Sequence, residues 1–203
     1  HPIIEADKNI LCAGRQPDED DLAAIRRAEA VILPQGCSEA LYRMARKNCR
    51  NVFPNLDVRF DYPGKFGQIR IFRELQAAHP ATELYASIAD YHTRPPALPL
   101  PLVVKLDWGG QGETVFKAAD GQEMERALAR VAACEATGQT GFLVQEWIPD
   151  GQRSLRVTVI GRRHIVYWRI QPDPQRFGAS LAAGGHIDPD ADPALQAAAQ
   201  RVV

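Results

Sequence analysis

PLVVKLDWGGQGETVF, residues 101–116, opens as an apolar strand, sets Lys105 near its end, and then places Gly109, Gly110 and Gly112 within four positions before turning apolar again. A strand holds a side chain firmly, whereas glycines let backbone N–H groups approach a ligand with no Cβ in the way. Such a loop can wrap phosphates. It differs from the glycine-then-lysine phosphate loop, because here the lysine comes first and a strand, not a helix, follows. Taken alone the pattern also suits a glycine-rich hairpin turn beside a surface lysine, so the neighbouring segments have to decide.

Upstream, TRPPALPLP (93–101) is a stiff proline-rich connector. Ahead of it, DYPGKFGQIRIFRELQAA (61–78) crosses a Pro-Gly break into a helix expected from about Gly67 to Ala78, with Ile69, Phe72 and Leu75 on one side. A boundary is expected within 60–101, dividing the chain into residues 1–62 and 63–203. In the first part AEAVILP (28–34) and NVFPN (51–55) read as buried strands. DEDDLAAIRRAEA (18–30) reads as a helix whose acidic first turn suits the helix dipole, and SEALYRMARKN (38–48) as another with Ser38 as its N-cap. The alternation implies a small α/β layer unit with a mainly parallel sheet.

Downstream come a strand, TVFKA (114–118), and a helix, DGQEMERALARVAAC (120–134), with Asp120 and Glu123 at capping-box spacing and Met124, Leu128 and Val131 as its apolar stripe. Three strands follow, GFLVQEWI (141–148), SLRVTVIG (154–161) and RRHIVYWRIQ (162–171), then a polar connection, PDPQRFGASLAAGGH (172–186), and a last helix from near Pro193. Gly161 and Arg162 make a natural tight turn. An even-numbered loop there keeps Arg156, Thr158 and Ile160 on one sheet face with Ile165, Tyr167 and Arg169, and leaves Leu155, Val157, Val159, Val166, Trp168 and Ile170 for a core face. The two arginines are either solvated or fork donors converging on a phosphate or carboxylate. LVQEWIP (143–149) is likewise either an edge strand stopped by Pro149 or a hinge whose main chain reads the edge of an adenine.

Composition narrows the alternatives. The 203 residues are 45% hydrophobic and 24% charged, enough for one large or two small cores. Lys plus Arg (24) nearly balance Asp plus Glu (25) with no like-charge block, which argues against a nucleic-acid or membrane-surface binder. Cys12, Cys37, Cys49 and Cys134 form no C-x-x-C pair and stand beside no histidine cluster, so reduced thiols in a cytoplasmic protein are expected rather than a zinc or redox site. No apolar run approaches the roughly 20 residues that span a bilayer. The start, HPIIEADKN, has no signal-peptide core and no methionine, and reads as lacking its first residues.

The order K-x-x-x-G-G-x-G, amphipathic helix, Q-E-W-I, L-R-V-T-V-I-G and W-R resembles the nucleotide-binding part of the ATP-grasp superfamily, most closely the RimK-like carboxylate-amine ligases, over about residues 60–190. The fold so implied is α/β (α+β): an ATP-grasp fold preceded by a small Rossmann-like pre-ATP-grasp domain. The resemblance implies that Lys105 contacts ATP phosphates, as does Lys65, upstream of HPATELY (79–85), which is similar to the family's P-x-T stretch. By the same resemblance Gly109, Gly110, Gln111 and Gly112 form the flap over those phosphates. Gln145, Glu146, Trp147 and Ile148 form the adenine hinge, with the main chain of Glu146 and Ile148 reading the base. Arg156 and Arg169 then lie near the transferred phosphate and the acyl phosphate.

The sequence also departs from the family. Ser154 stands where an acidic ribose contact is usual, with Asp150 as a substitute, and FGASLAAGG (177–185) has Gly178 and Ser180 where the pattern has arginine and asparagine. The magnesium ligands are expected past Val203, so the second domain reads as incomplete at its C-terminus. The activity implied is ADP-forming ligation: Mg2+ and ATP, a small carboxylate or peptide substrate, and an amine, with a homo-oligomer left open. The alternative is a non-catalytic ATP- or ADP-binding module with a degenerate site. A sugar- or amino-acid-binding domain without a nucleotide is a third reading. Neither reading of the site requires a side-chain nucleophile, so the cysteines and His92, His164 and His186 are expected to be structural or solvent-facing.

Overall fold

A computed structural model of the chain describes residues 5–110, 112–149, 152–173, 176–190 and 194–197. The chain divides into two compact units, His1–Pro63 and Gly64–Val203.

The first unit begins with α1 (Glu19–Arg27). The Asp18 carboxylate accepts the N–H groups of Asp20 and Asp21, and the Asp21 carboxylate accepts that of Asp18 at 2.9 Å, a reciprocal cap. Arg15 grips the buried Asp21 with bonds of 2.6 and 2.8 Å, which holds this carboxyl well below the usual carboxylate range. The helix stops three residues short of the expected end. Ala28 turns extended, and the chain then enters β1 (Val31–Ile32), whose Val31 N–H donates to Asn51 O at 2.8 Å. After α2 (Glu39–Asn48), capped as expected by Ser38, β2 (Val52–Phe53) pairs with β1 in parallel, Val31 opposite Val52. The short α3 (Asp57–Asp61) follows, and Tyr42, fully buried, ties α2 to it by donating to Asp57 Oδ1 at 2.8 Å.

The second unit opens with α4 (Gly64–Glu74), which starts and ends earlier than the sequence suggests. Its start is set by Asp107, whose carboxylate accepts the Phe66 N–H at 2.7 Å, and its end by Gln76 in a left-handed conformation. Ile69 is buried, but Leu75 lies beyond the helix and is 70% exposed, so the expected apolar side is only partly a core face. Next come β3 (Thr82–Tyr85), α5 (Ile88–Thr93), β4 (Leu102–Leu106), β5 (Val115–Ala118), α6 (Gly121–Glu135) and β6 (Phe142–Glu146). The strands form a four-stranded sheet in the order β3-β6-β4-β5, antiparallel throughout. Asp120 caps α6 as expected, accepting the Glu123 N–H at 2.8 Å, while the Glu123 carboxylate reaches Ala119 N–H rather than that of Asp120.

Strand side chains alternate between faces. Leu102, Val104 and Leu106 of β4 and Phe142 and Val144 of β6 point to the core that Met124, Ala127 and Val131 of α6 close. Full burial of each large side chain stabilises by about 1.5–3 kcal/mol. Val103 and Lys105, on the opposite face, are therefore turned away from α6.

A second sheet completes this unit: β7 (Arg153–Ile160), β8 (Arg163–Ile170) and β9 (His186–Asp188), in that order and antiparallel. The β7–β8 register pairs Arg156 with Tyr167, Thr158 with Ile165 and Ser154 with Arg169, with Gly161 and Arg162 as the two-residue turn. The face assignment made from the sequence follows. On the other face Leu155, Val157, Val166 and Trp168 pack together, but Val159 near the turn is about half exposed. The strands β3 and β9 and the helices α3 and α5 were not anticipated. Residues 194–197 are helical, and the rest of the expected terminal helix lies outside the described residues.

Candidate functional site

The face of the four-stranded sheet away from α6 is the floor of a cavity of about 1160 Å³. Val103 and Lys105 of β4, Leu143 and Gln145 of β6, and Val115 of β5 line it. Period-2 alternation makes this inevitable: residues that skip the α6 core face the cavity together. Lys65, on the first turn of α4, lines it from one side, and Ser154 and Arg156 of β7 and Arg169 of β8 from another. The edge of the site is the end of β6, Glu146 through Ile148, and the segment from Phe177 to Ala182 supplies a largely apolar wall. The volume exceeds that of most single small-molecule pockets, which run to about 1,000 Å³.

The structure thus gathers Lys65, Lys105, Gly112, Gln145, Glu146, Trp147, Ile148, Ser154, Arg156 and Arg169 around one cavity. Gly109 and Gly110 lie off its wall. Gly109, at φ +81, turns the chain in against Thr114, where a Cβ would come within 2.5 Å of Thr114 Cγ2. Gln111 and Asp150 fall outside the described residues. Gln68, Phe72, Pro80 and Glu113 also line the cavity and were not anticipated. Their only sequence signal was position: Gln68 and Phe72 share α4 with Lys65, and Glu113 sits inside the glycine loop.

Four cations on this wall face two carboxylates, Glu113 and Glu146, so the cavity favours an anion. Lys65 Nζ donates to the carbonyls of Trp108 at 2.7 Å and Gly109 at 3.3 Å, anchoring the base of the glycine loop. Burial pushes its pKa down, against a smaller upward pull from Asp107. Lys105 Nζ donates to Gln145 Oε1 at 2.5 Å. Burial, and secondarily the nearby Lys65 charge, lower its pKa as well. Both lysines hold their charge at some cost, which a bound anion offsets.

The arginine face is similarly primed. Arg169 Nε is buried and has no hydrogen-bond partner among the described residues. An orphaned buried donor costs roughly 1–3 kcal/mol until something accepts from it. Tyr167, on the same face, has its pKa lowered by hydrogen bonds from Thr158 first and Arg169 second.

At the end of β6, the Glu146 N–H donates to Ala81 O at 3.0 Å and the Trp147 N–H to Pro101 O at 3.3 Å. Of the two groups expected to read a base from Glu146, the N–H is therefore committed to the sheet. The Ile148 N–H makes no backbone hydrogen bond among the described residues. The Trp147 ring carries the Lys117 ammonium 3.5 Å from its centroid.

Orphaned Arg169 Nε and two underneutralised lysines fit a phosphate-bearing ligand such as ATP. A divalent metal fits less well: among the described residues no three or more His, Cys, Asp or Glu side chains converge. No helix among them is long and apolar enough to cross a membrane.

No family model and no curated protein sequence matches the chain. Solved structures do. A RimK domain ATP-grasp protein from Sphaerobacter thermophilus aligns with TM-score 0.56 and 19% identity over 80% of this chain and 57% of its own. N5-carboxyaminoimidazole ribonucleotide synthetase from Thermus thermophilus aligns with TM-score 0.60 and 16% identity over 91% and 49%. L-amino acid ligase from Bacillus licheniformis gives TM-score 0.53 and 18% identity over 80% and 42%. The chain spans about half the length of these structures. A helix-backed four-stranded sheet and a second, three-stranded sheet, in this order and with these structural neighbours, make the chain an ATP-grasp fold.

Proposed function

We propose that this chain is the nucleotide-binding part of an ATP-dependent ligase that activates a small carboxylate or peptide substrate as an acyl phosphate for attack by an amine. The observation that carries this reading is the convergence of Lys65, Lys105, Arg156 and Arg169 on one cavity beside a strand end whose Ile148 N–H makes no backbone hydrogen bond among the described residues. The Ile148 N–H and the Glu146 carbonyl read the adenine edge. Lys65 and Lys105 meet the phosphates, and the loop containing Gly109, Gly110, Gln111 and Gly112 covers them. Arg156 and Arg169 present planar forks to the transferring phosphoryl group. Fixed cations of this kind neutralise charge as it spreads over the phosphoryl oxygens, the main source of catalysis in phosphoryl transfer.

The substrate carboxylate oxygen forms the new P–O bond as the bond to ADP breaks. The amine nitrogen then bonds to the acyl carbon as phosphate leaves, and the amine gives up a proton. Magnesium belongs to this reading as a counter-ion of the nucleotide. The free cysteines suit a reducing cytoplasmic setting.

One observation favours a second reading, a nucleotide-binding module without ligation. Beside Arg156 and Arg169, the positions of Ser154, Gly178 and Ser180 add no acidic, guanidinium or amide group of their own to hold a substrate.

Calorimetric titration with ADP, ATP and adenosine, beside a Lys105→Met variant, tests nucleotide binding. Micromolar ADP affinity that falls at least about tenfold in the variant, about 1.4 kcal/mol, supports the site. No binding by the folded chain removes it. Phosphate release from ATP that requires both a carboxylic acid and an amine then separates the ligase from the module.

A further inference from the structure

Lys105 is held by a hydrogen-bond chain that crosses three neighbouring strands. The Thr82 hydroxyl on β3 donates to Pro80 O at 2.7 Å, so its proton is committed. Its oxygen accepts from Gln145 Nε2 on β6, also at 2.7 Å. The amide oxygen of Gln145 consequently points the other way and accepts from Lys105 Nζ on β4 at 2.5 Å. The register explains the alignment: Thr82 lies directly opposite Gln145, and Val103 opposite Gln145 puts Lys105 one same-face step along β4.

Both ends of the chain are chemically fixed. A proline carbonyl can only accept and an ammonium can only donate. One orientation of the Gln145 amide satisfies both; a flipped amide would set N–H against the ammonium and oxygen against a hydroxyl whose proton is already used. Gln145 is 6% exposed, so little of the amide is open to water that could offset the mismatch.

We propose that Gln145 and Thr82 are positioning residues that aim and hold the charge of Lys105, with Gln145 acting on the ligand through that lysine rather than as a ligand-contacting group of its own. The HPATELY and QEW segments then form one device: the first orients the amide carried by the second. The effect on nucleotide affinity rests on the function proposed above, whereas the effect on the lysine does not.

The test uses Thr82→Val, Thr82→Ser and Gln145→Met in the full chain, each checked for folding by circular dichroism. The pH midpoint of Lys105 acetylation by acetic anhydride, read by peptide mass spectrometry, reports its ammonium directly. ADP and adenosine affinities report the phosphate and base ends of the cavity. Thr82→Val and Gln145→Met are expected to move the Lys105 midpoint to lower pH and to weaken ADP at least tenfold while adenosine changes less than twofold. Thr82→Ser, which keeps the hydroxyl, is expected to stay close to the parent in both. A shifted midpoint in a chain that binds no ADP supports the relay and removes the nucleotide reading. An unchanged midpoint in folded Thr82→Val, or a Thr82→Ser that behaves like Thr82→Val, overturns the proposal. Should Gln145→Met fail to fold, the two Thr82 variants decide it.

Discussion

Gly64 stands where any side chain would strike Asp107: a Cβ at residue 64 would lie 2.5 Å from the Asp107 carboxylate. The contact is close because Asp107 organises the start of α4. Its carboxylate accepts the Phe66 N–H at 2.7 Å, its carbonyl accepts the Lys65 N–H at 3.0 Å, and its own N–H donates to Gly141 O at 2.9 Å. One residue thereby joins the end of β4, the start of β6 and the helix that carries Lys65. Gly64 also has φ +68, a left-handed backbone that a side chain strains.

Gly64→Ala is therefore expected to destabilise the chain by about 1–3 kcal/mol. Urea unfolding measures it. An unchanged midpoint would mean that the Asp107 carboxylate swings away freely and does not organise this helix.

The two lysines of the cavity make stability and anion affinity depend on pH with opposite signs. Burial lowers both pKa values in the folded chain, so between the lowered values and the ordinary lysine value of about 10.4 the unfolded chain binds more protons. Stability of the ligand-free chain therefore gains from these groups as pH rises through that window. Anion affinity falls over the same window as the ammonium groups lose their charge. Phosphate or ADP titrations and urea melts between pH 7 and 10 measure the two trends. A Lys65→Met, Lys105→Met double variant is expected to flatten both.

Arg169→Met separates stability from binding. It removes a buried Nε that has no partner among the described residues, which offsets the loss of the hydrogen bond to Tyr167, so the ligand-free chain is expected to change stability by no more than about 1 kcal/mol. Anion affinity is expected to fall tenfold or more, about 1.4 kcal/mol. A large stability loss with unchanged affinity would assign Arg169 to packing. The same variant should return the Tyr167 pKa toward its ordinary value, because it removes one of the two hydrogen bonds that lower it. Ultraviolet titration of tyrosinate reads that shift.

Lys117→Met removes the cation that covers the Trp147 ring at 3.5 Å. The expected loss is about 0.5–1 kcal/mol, the range for an exposed cation–π pair. The indole emission should shift as its surroundings change, giving a fluorescent report at the edge of the cavity.

Local chemistry was legible in the residues themselves. Ser38 and Asp120 cap their helices as their side chains require, since each meets a backbone N–H three positions on. The two-residue turn at Gly161 and Arg162 brought Arg156 and Arg169 to one face, because period 2 leaves no other choice once the turn length is even. The long-range pairings were not legible. Thr82–Tyr85 carries no strand pattern of its own and becomes β3 by pairing with β6, its Thr82 meeting Gln145 across 63 residues. The three-residue β9 exists because β8 offers it an edge. The early start of α4 depends on Asp107, 41 residues beyond Phe66. Caps, turns and alternation follow from neighbours within a few bonds. Which amide a lysine meets, and which carboxylate forces a glycine, depends on how distant segments register in the folded sheet.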